Sequence, residues 1–101
     1  MNIELEDKLY ELQRACNRYR ETDPLADWVL YAIDRHITTG RATPAFIKAF
    51  IAFPVADLPE LIAACLNGDK SDDGIMKTAK RIILKAALGE GQEWQRFNCK
   101  A

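Results

Sequence analysis

A chain of 101 residues, 49% hydrophobic and 29% charged, has the make-up of one globular domain that can fold without disulfide or metal staples. Its formal net charge of −1 excludes the general surplus of Lys and Arg that non-specific nucleic-acid binding needs, while leaving local basic patches open. The opening Met-Asn-Ile-Glu-Leu-Glu lacks the basic and apolar regions of a signal peptide, no apolar run approaches the ~20 residues of a membrane span, and Cys16, Cys65 and Cys99 are odd in number and widely spaced, so reduced thiols in the cytoplasm are expected.

Proline and glycine divide the sequence into five helical segments. The first is expected over about Asn2 to Glu21, where Leu5, Leu9, Leu12, Cys16 and Tyr19 follow a 4-3-4-3 spacing that keeps them in one stripe. Acids (Glu4, Glu6, Asp7, Glu11) come early and bases (Arg14, Arg18, Arg20) late, which complements the helix dipole. The segment is too short for a coiled-coil dimer, so its stripe reads as an intramolecular seam.

Asp23-Pro24 reads as an N-cap followed by proline at the first helical position. Leu25, Val29, Ala32, Ile33 and His36 then form a core stripe flanked by Trp28, and Gly40 is a stop signal. Thr43-Pro44 repeats the same opening. Behind it Phe46, Phe50 and Phe53 make one stripe with Ile47 and Ile51 beside it, while Ala45, Lys48, Ala49 and Ala52 form an arc that suits water or a closely approaching helix. Pro54 closes this segment.

Asp57-Leu58-Pro59-Glu60 has the spacing of a capping box, followed by the apolar face Leu58, Leu61, Ile62, Cys65 and Leu66 and the stop Asn67-Gly68. Ser71, Asp72 or Asp73 is expected to cap the last helix, whose Ile75, Ala79, Ile82, Ile83 and Ala86 share a face and which Gly89 ends. The tail over 90–101 carries Trp94 and Phe97, two rings suited to docking on the body of the protein. No alternating β pattern occurs. The expected fold is all-α: one compact bundle of about five helices spanning 1–101.

Few residues offer chemistry. Asp69-Lys70-Ser71-Asp72-Asp73-Gly74 matches the first half of a calcium loop, but positions nine and twelve are Lys77 and Lys80 where oxygen ligands belong. A polar turn feeding a helix cap accounts for the same residues. His36 is the sole histidine and sits in a core stripe near a helix end, a setting for a packed or dipole-stabilised ring rather than a metal ligand. Ser71 is the sole serine and has no neighbouring base, and a Cys–His pair could arise only through tertiary contact. The five glycines punctuate helices and form no phosphate loop.

The last helix has a second face. Lys77, Lys80, Arg81 and Lys85 fill the arc opposite the isoleucine stripe, with Leu84 and Leu88 inside that arc. A solvated charged face explains this pattern; so does a surface for an acidic partner helix, a phosphate-bearing ligand or an anionic membrane. A helix-turn-helix assignment fails, because the would-be recognition helix Leu58–Leu66 carries Glu60 and no Lys, Arg, Asn or Gln.

The sequence therefore supports a small cytosolic protein-interaction module or inhibitor with no catalytic chemistry, cofactor or metal of its own. Its expected contact set is Lys77, Lys80, Arg81, Leu84, Lys85, Leu88, Trp94 and Phe97, together with surplus aromatic surface at Phe46, Phe50 and Phe53. The partner would present an acidic or mixed surface, with a homodimer as one form. A nucleic-acid-associated regulator using the basic face of the last helix is the alternative, and an enzyme with a tertiary Cys–His or carboxylate site ranks third.

Overall fold

Short local signals set most helix ends, and the computed structural model describes residues 3–88 of the chain. The elements in order are α1 (Ile3–Tyr19), α2 (Leu25–Thr38), α3 (Pro44–Ala52), a single 3-10 turn (Val55–Asp57), α4 (Leu58–Leu66) and α5 (Asp72–Leu88). The fold is the all-α bundle of five helices that the periodicities imply, with no strand among the described residues. Its Cα radius of gyration is 12.7 Å, close to the ~13 Å of a compact 100-residue domain.

The two proline openings differ: Thr43 caps α3 with Pro44 as its first residue, as expected, whereas Pro24 itself takes the N-cap position of α2, one residue later than expected, and supplies no side-chain cap. The Thr43 hydroxyl accepts from the Phe46 amide at 3.1 Å, and the Asp23 carboxylate accepts from the Leu25 amide at 3.1 Å. Each satisfies a donor left free by the first helical turn. Gly40 adopts φ +78°, the left-handed region that glycine enters at least cost. The Arg41 and Ala42 amides then both donate to the His36 carbonyl, at 2.9 and 3.2 Å. The chain thus doubles back over the last turn of α2.

The capping box at Asp57 does not form. Asp57 has φ −89° and ψ 6° and its side chain makes no capping bond, because residues 55–57 wind into a 3-10 turn that leads directly into α4. A capping carboxylate reaches the N2 or N3 amide from extended backbone, and this turn denies it that conformation. Helix α1 ends at Tyr19 rather than Glu21, as the Thr22 and Asp23 amides close a turn on the Tyr19 carbonyl.

Helix α3 packs chiefly against α5 and α1, while α1 packs along α2. Phe46, Phe50 and Phe53 are all 0% exposed, and the Phe46 and Phe50 rings stack with centroids 6.1 Å apart. This burial corrects the expectation that they provide surplus surface for a partner: the core uses all three. On the alanine arc Ala49 is buried whereas Ala45 and Ala52 are exposed. Leu12, Cys16, Val29, Ile33, Leu58, Leu61, Cys65, Ile75 and Ile83 complete the interior.

Lys8 on α1 ties the core to its rim. Its ammonium donates to the Phe53 carbonyl at the end of α3, lies 5.9 Å from the centroid of the Phe53 ring and faces Glu11 at 4.0 Å. Burial pushes its pKa below the usual lysine value, partly opposed by Glu11.

Among the described residues no single helix is long and apolar enough to cross a membrane. Together α3 and the segment from Val55 to Leu66 reach that length and composition, but they are bent by 95°, and Phe46, Phe50, Leu58, Leu61 and Cys65 face the protein core.

Candidate binding surfaces

The residues resembling half a calcium loop are occupied by backbone chemistry. Asp69 Oδ1 accepts from the Ser71 amide at 2.9 Å, and Ser71 Oγ accepts from the Gly74 amide at 3.1 Å, so Ser71 caps α5. The bonds from Ser71, with help from the Lys77 charge, hold the Asp69 carboxyl below its ordinary pKa. Asp72 pairs instead with Arg35 of α2 at 2.9 Å. Gly74 is buried where a Cβ would fall within 3.0 Å of Asp69 atoms, including its carbonyl oxygen. The glycine is there for close backbone approach. No group of three or more His, Cys, Asp or Glu side chains that could hold a metal occurs among the described residues.

The expected contact set on α5 separates into several environments. Lys77 is exposed; Lys80, Arg81 and Lys85 are half-buried. Leu84 packs partly against the core, so it is less available to a partner than the basic arc suggests. Leu88 is the last residue of α5, and Trp94 and Phe97 lie outside the described residues. Lys77 and Lys80 share a cleft of about 320 Å³ with His36, Arg41, Asp73 and Met76. His36 is packed, 5% exposed, yet its Nε2 has no hydrogen-bond partner.

The described thiols are poor nucleophiles. Cys16 and Cys65 are fully buried, and Cys16 Sγ donates to the Ala26 carbonyl at 3.2 Å. Burial pushes both pKa values up to about 11, with the Asp27 charge adding to the effect at Cys16. At neutral pH both carry their protons, and the reactive form of cysteine is the thiolate. Cys99 lies outside the described residues.

A second surface joins α1 to α2. Glu6, Leu9, Tyr10 and Gln13 face Asp27, Leu30, Tyr31, Asp34 and Thr38 across a groove of about 530 Å³, with Arg20 at one end. Leu30 is buried and Leu9 half-buried, giving an apolar floor. Tyr10 and Tyr31 stand 63% and 61% exposed beside it. Glu6, Asp27 and Asp34 make the rim acidic, and Arg20 is paired with Asp27 at 2.7 Å. Arg14 lies over the Tyr10 ring, 5.4 Å from its centroid.

Sequence reasoning missed this groove. The signal was present as Glu6-Tyr10-Gln13 and Asp27-Tyr31-Asp34-Thr38, each at helical 3–4 spacing beside a core stripe. Comparison with family models, curated proteins and solved structures gives no match, so the functional reading rests on these surfaces.

Proposed function

We propose that this protein acts as a binding module that holds a protein partner in the α1–α2 groove and performs no chemistry of its own. One observation carries the reading: two tyrosines stand largely in solvent over an apolar floor between acidic rims. Tyrosine presents a large ring with few rotatable bonds and a polar tip, which is why it recurs as an interface anchor. Three carboxylates on the lining against Arg20, already paired with Asp27, keep the groove negative even with Arg14 over the Tyr10 ring. It suits a segment that offers an apolar side chain to the floor and Lys or Arg to the rim. The partner's complementary surface is therefore basic at this groove, the reverse of the acidic or mixed surface expected at α5.

Binding by immobilised protein from native lysate, followed by titration with the purified partner, tests this. Tyr10→Ala/Tyr31→Ala should weaken binding by roughly 30-fold or more, the scale of losing interface anchors. Lys77→Glu/Lys80→Glu should leave it within about twofold, since neither residue lines the groove. A folded tyrosine variant that binds the same partner with unchanged affinity overturns the assignment.

A further inference from the structure

The cleft at the other end of α2 has a different chemistry. Gly40 takes its left-handed conformation, and the following two amides fold back onto the His36 carbonyl. Arg41 is thereby placed beside His36, against Asp73, Met76, Lys77 and Lys80 from the first turns of α5. No salt bridge among the described residues engages Arg41, Lys77 or Lys80. Three cations against Asp73 on the lining leave the cleft positive, though the Asp69 carboxylate outside it draws on Lys77. Its volume of about 320 Å³ falls at the small end of the roughly 300–1,000 Å³ typical of small-molecule sites.

His36 supplies an independent sign of a ligand. His36 is one of the residues lining the cleft; it is 5% exposed, and its Nε2 is buried without a partner. Buried polar atoms are ordinarily satisfied, and an open Nε2 takes an acceptor when it carries the ring proton. A phosphate oxygen is such an acceptor: in the tautomer protonated at Nε2, or as imidazolium, the ring donates to it.

We propose that this cleft binds the phosphate group of a small phosphate monoester, with Arg41, Lys77 and Lys80 neutralising the charge and His36 donating from Nε2 once its ring turns that atom into the cleft. The charge selects the class. A monoester above its second pKa of about 6 is nearly a dianion and gains more from three cations than a phosphodiester or a carboxylate, each with one charge. Asp73 is the one repulsive group on the lining, and it disfavours ligands bearing further acid close to the phosphate. The site shares no residue with the α1–α2 groove, so it stands or falls separately from the partner-binding reading.

Titrations at pH 8 and constant ionic strength, followed by the His36 ring signals and the amides of Arg41, Lys77 and Lys80, test the proposal. The probes are phenyl phosphate, inorganic phosphate and dimethyl phosphate. Phenyl phosphate should give saturable shifts at all four residues, and dimethyl phosphate should bind roughly tenfold more weakly or worse, because it lacks one charge. Inorganic phosphate binding more tightly than phenyl phosphate would overturn the monoester and identify free phosphate as the ligand. Lys77→Glu/Lys80→Glu, at positions away from the core, should reduce affinity by about tenfold or more, and Arg81→Glu, outside the cleft, should change it by less than about twofold. His36→Gln should also weaken binding. If that variant misfolds, the lysine pair decides. Absence of saturation, equal binding of dimethyl phosphate, or equal losses in the lysine and Arg81 variants would each overturn the site.

Discussion

Replacing Gly74 by alanine should destabilise the protein, against the intrinsic preference of helices. Gly74 lies inside α5, and alanine is favoured over glycine within a helix by about 1 kcal/mol. Propensity alone therefore argues for a gain. The structure opposes it, since the new Cβ would meet the Asp69 Cβ, Cγ and carbonyl oxygen at distances real Cβ atoms do not adopt. To make room, the turn over 69–73 must move. That movement strains the exposed Asp69–Ser71 bond and the Ser71 cap on the Gly74 amide, the cap being worth about 1 kcal/mol. Overpacking adds roughly 1–3 kcal/mol. After subtracting the propensity gain, a net loss of about 2 kcal/mol is expected, or a fall in Tm of roughly 10 °C for a domain of this size. Gly68→Ala is the internal control: its Cβ would lie 3.5 Å from Thr78 Oγ1, an ordinary contact, and stability should change by less than about 0.5 kcal/mol. Urea denaturation of both variants followed by circular dichroism makes the measurement. A Gly74→Ala protein as stable as the parent would refute the steric account of this glycine.

Other consequences concern the core and its ionisable groups. Phe50→Ala should cost about 3–5 kcal/mol, because the ring is fully buried and the cavity adds to the lost burial; a loss below ~1 kcal/mol would contradict a core built on the α3 phenylalanines. Thr43→Ala should cost about 1 kcal/mol in the same assay through the lost N-cap. The buried thiols make stability fall in base. Their folded pKa values are raised from 9.0 to about 11, so their contribution is full below pH 9 and declines as pH climbs towards 11, by up to ~1.4 kcal/mol per thiol for each pH unit. Cys16→Ala should flatten the fall between pH 9 and 11; an unchanged slope would count against this origin. Lys8 acts in the opposite sense, since its lowered folded pKa relieves a burial penalty as the ammonium loses its proton.

What the sequence disclosed depended on how local each signal was. Gly40 and Thr43 act on backbone within a few residues, and each performs in the fold the role its spacing implies; Asp23 accepts from the Leu25 amide, but Pro24 takes the N-cap place expected for it. The stripe Phe46-Phe50-Phe53 marked the core because helical periodicity alone brings those rings together. Asp57 failed because the winding of residues 55–57 was not encoded in the capping pattern. Leu84 lay in the basic arc on a helical wheel, yet packs partly against the core, since exposure depends on how neighbouring helices surround α5. The binding surfaces were the least legible. Tyr10 and Tyr31 are 21 positions apart and meet only because α1 and α2 pack side by side. Likewise, Lys77 joins His36 and Arg41 only after α5 docks against α2.

Site-specific photocrosslinking tests the central claim, that the α1–α2 groove receives a protein partner, most directly. Benzoylphenylalanine placed at Tyr31, and separately at Arg81 as a control outside the groove, should be irradiated in native lysate with and without excess unmodified protein. The account predicts a discrete adduct from position 31 that unmodified protein competes away and that position 81 does not form. No competable adduct from position 31, or the same adducts from both positions, would contradict it.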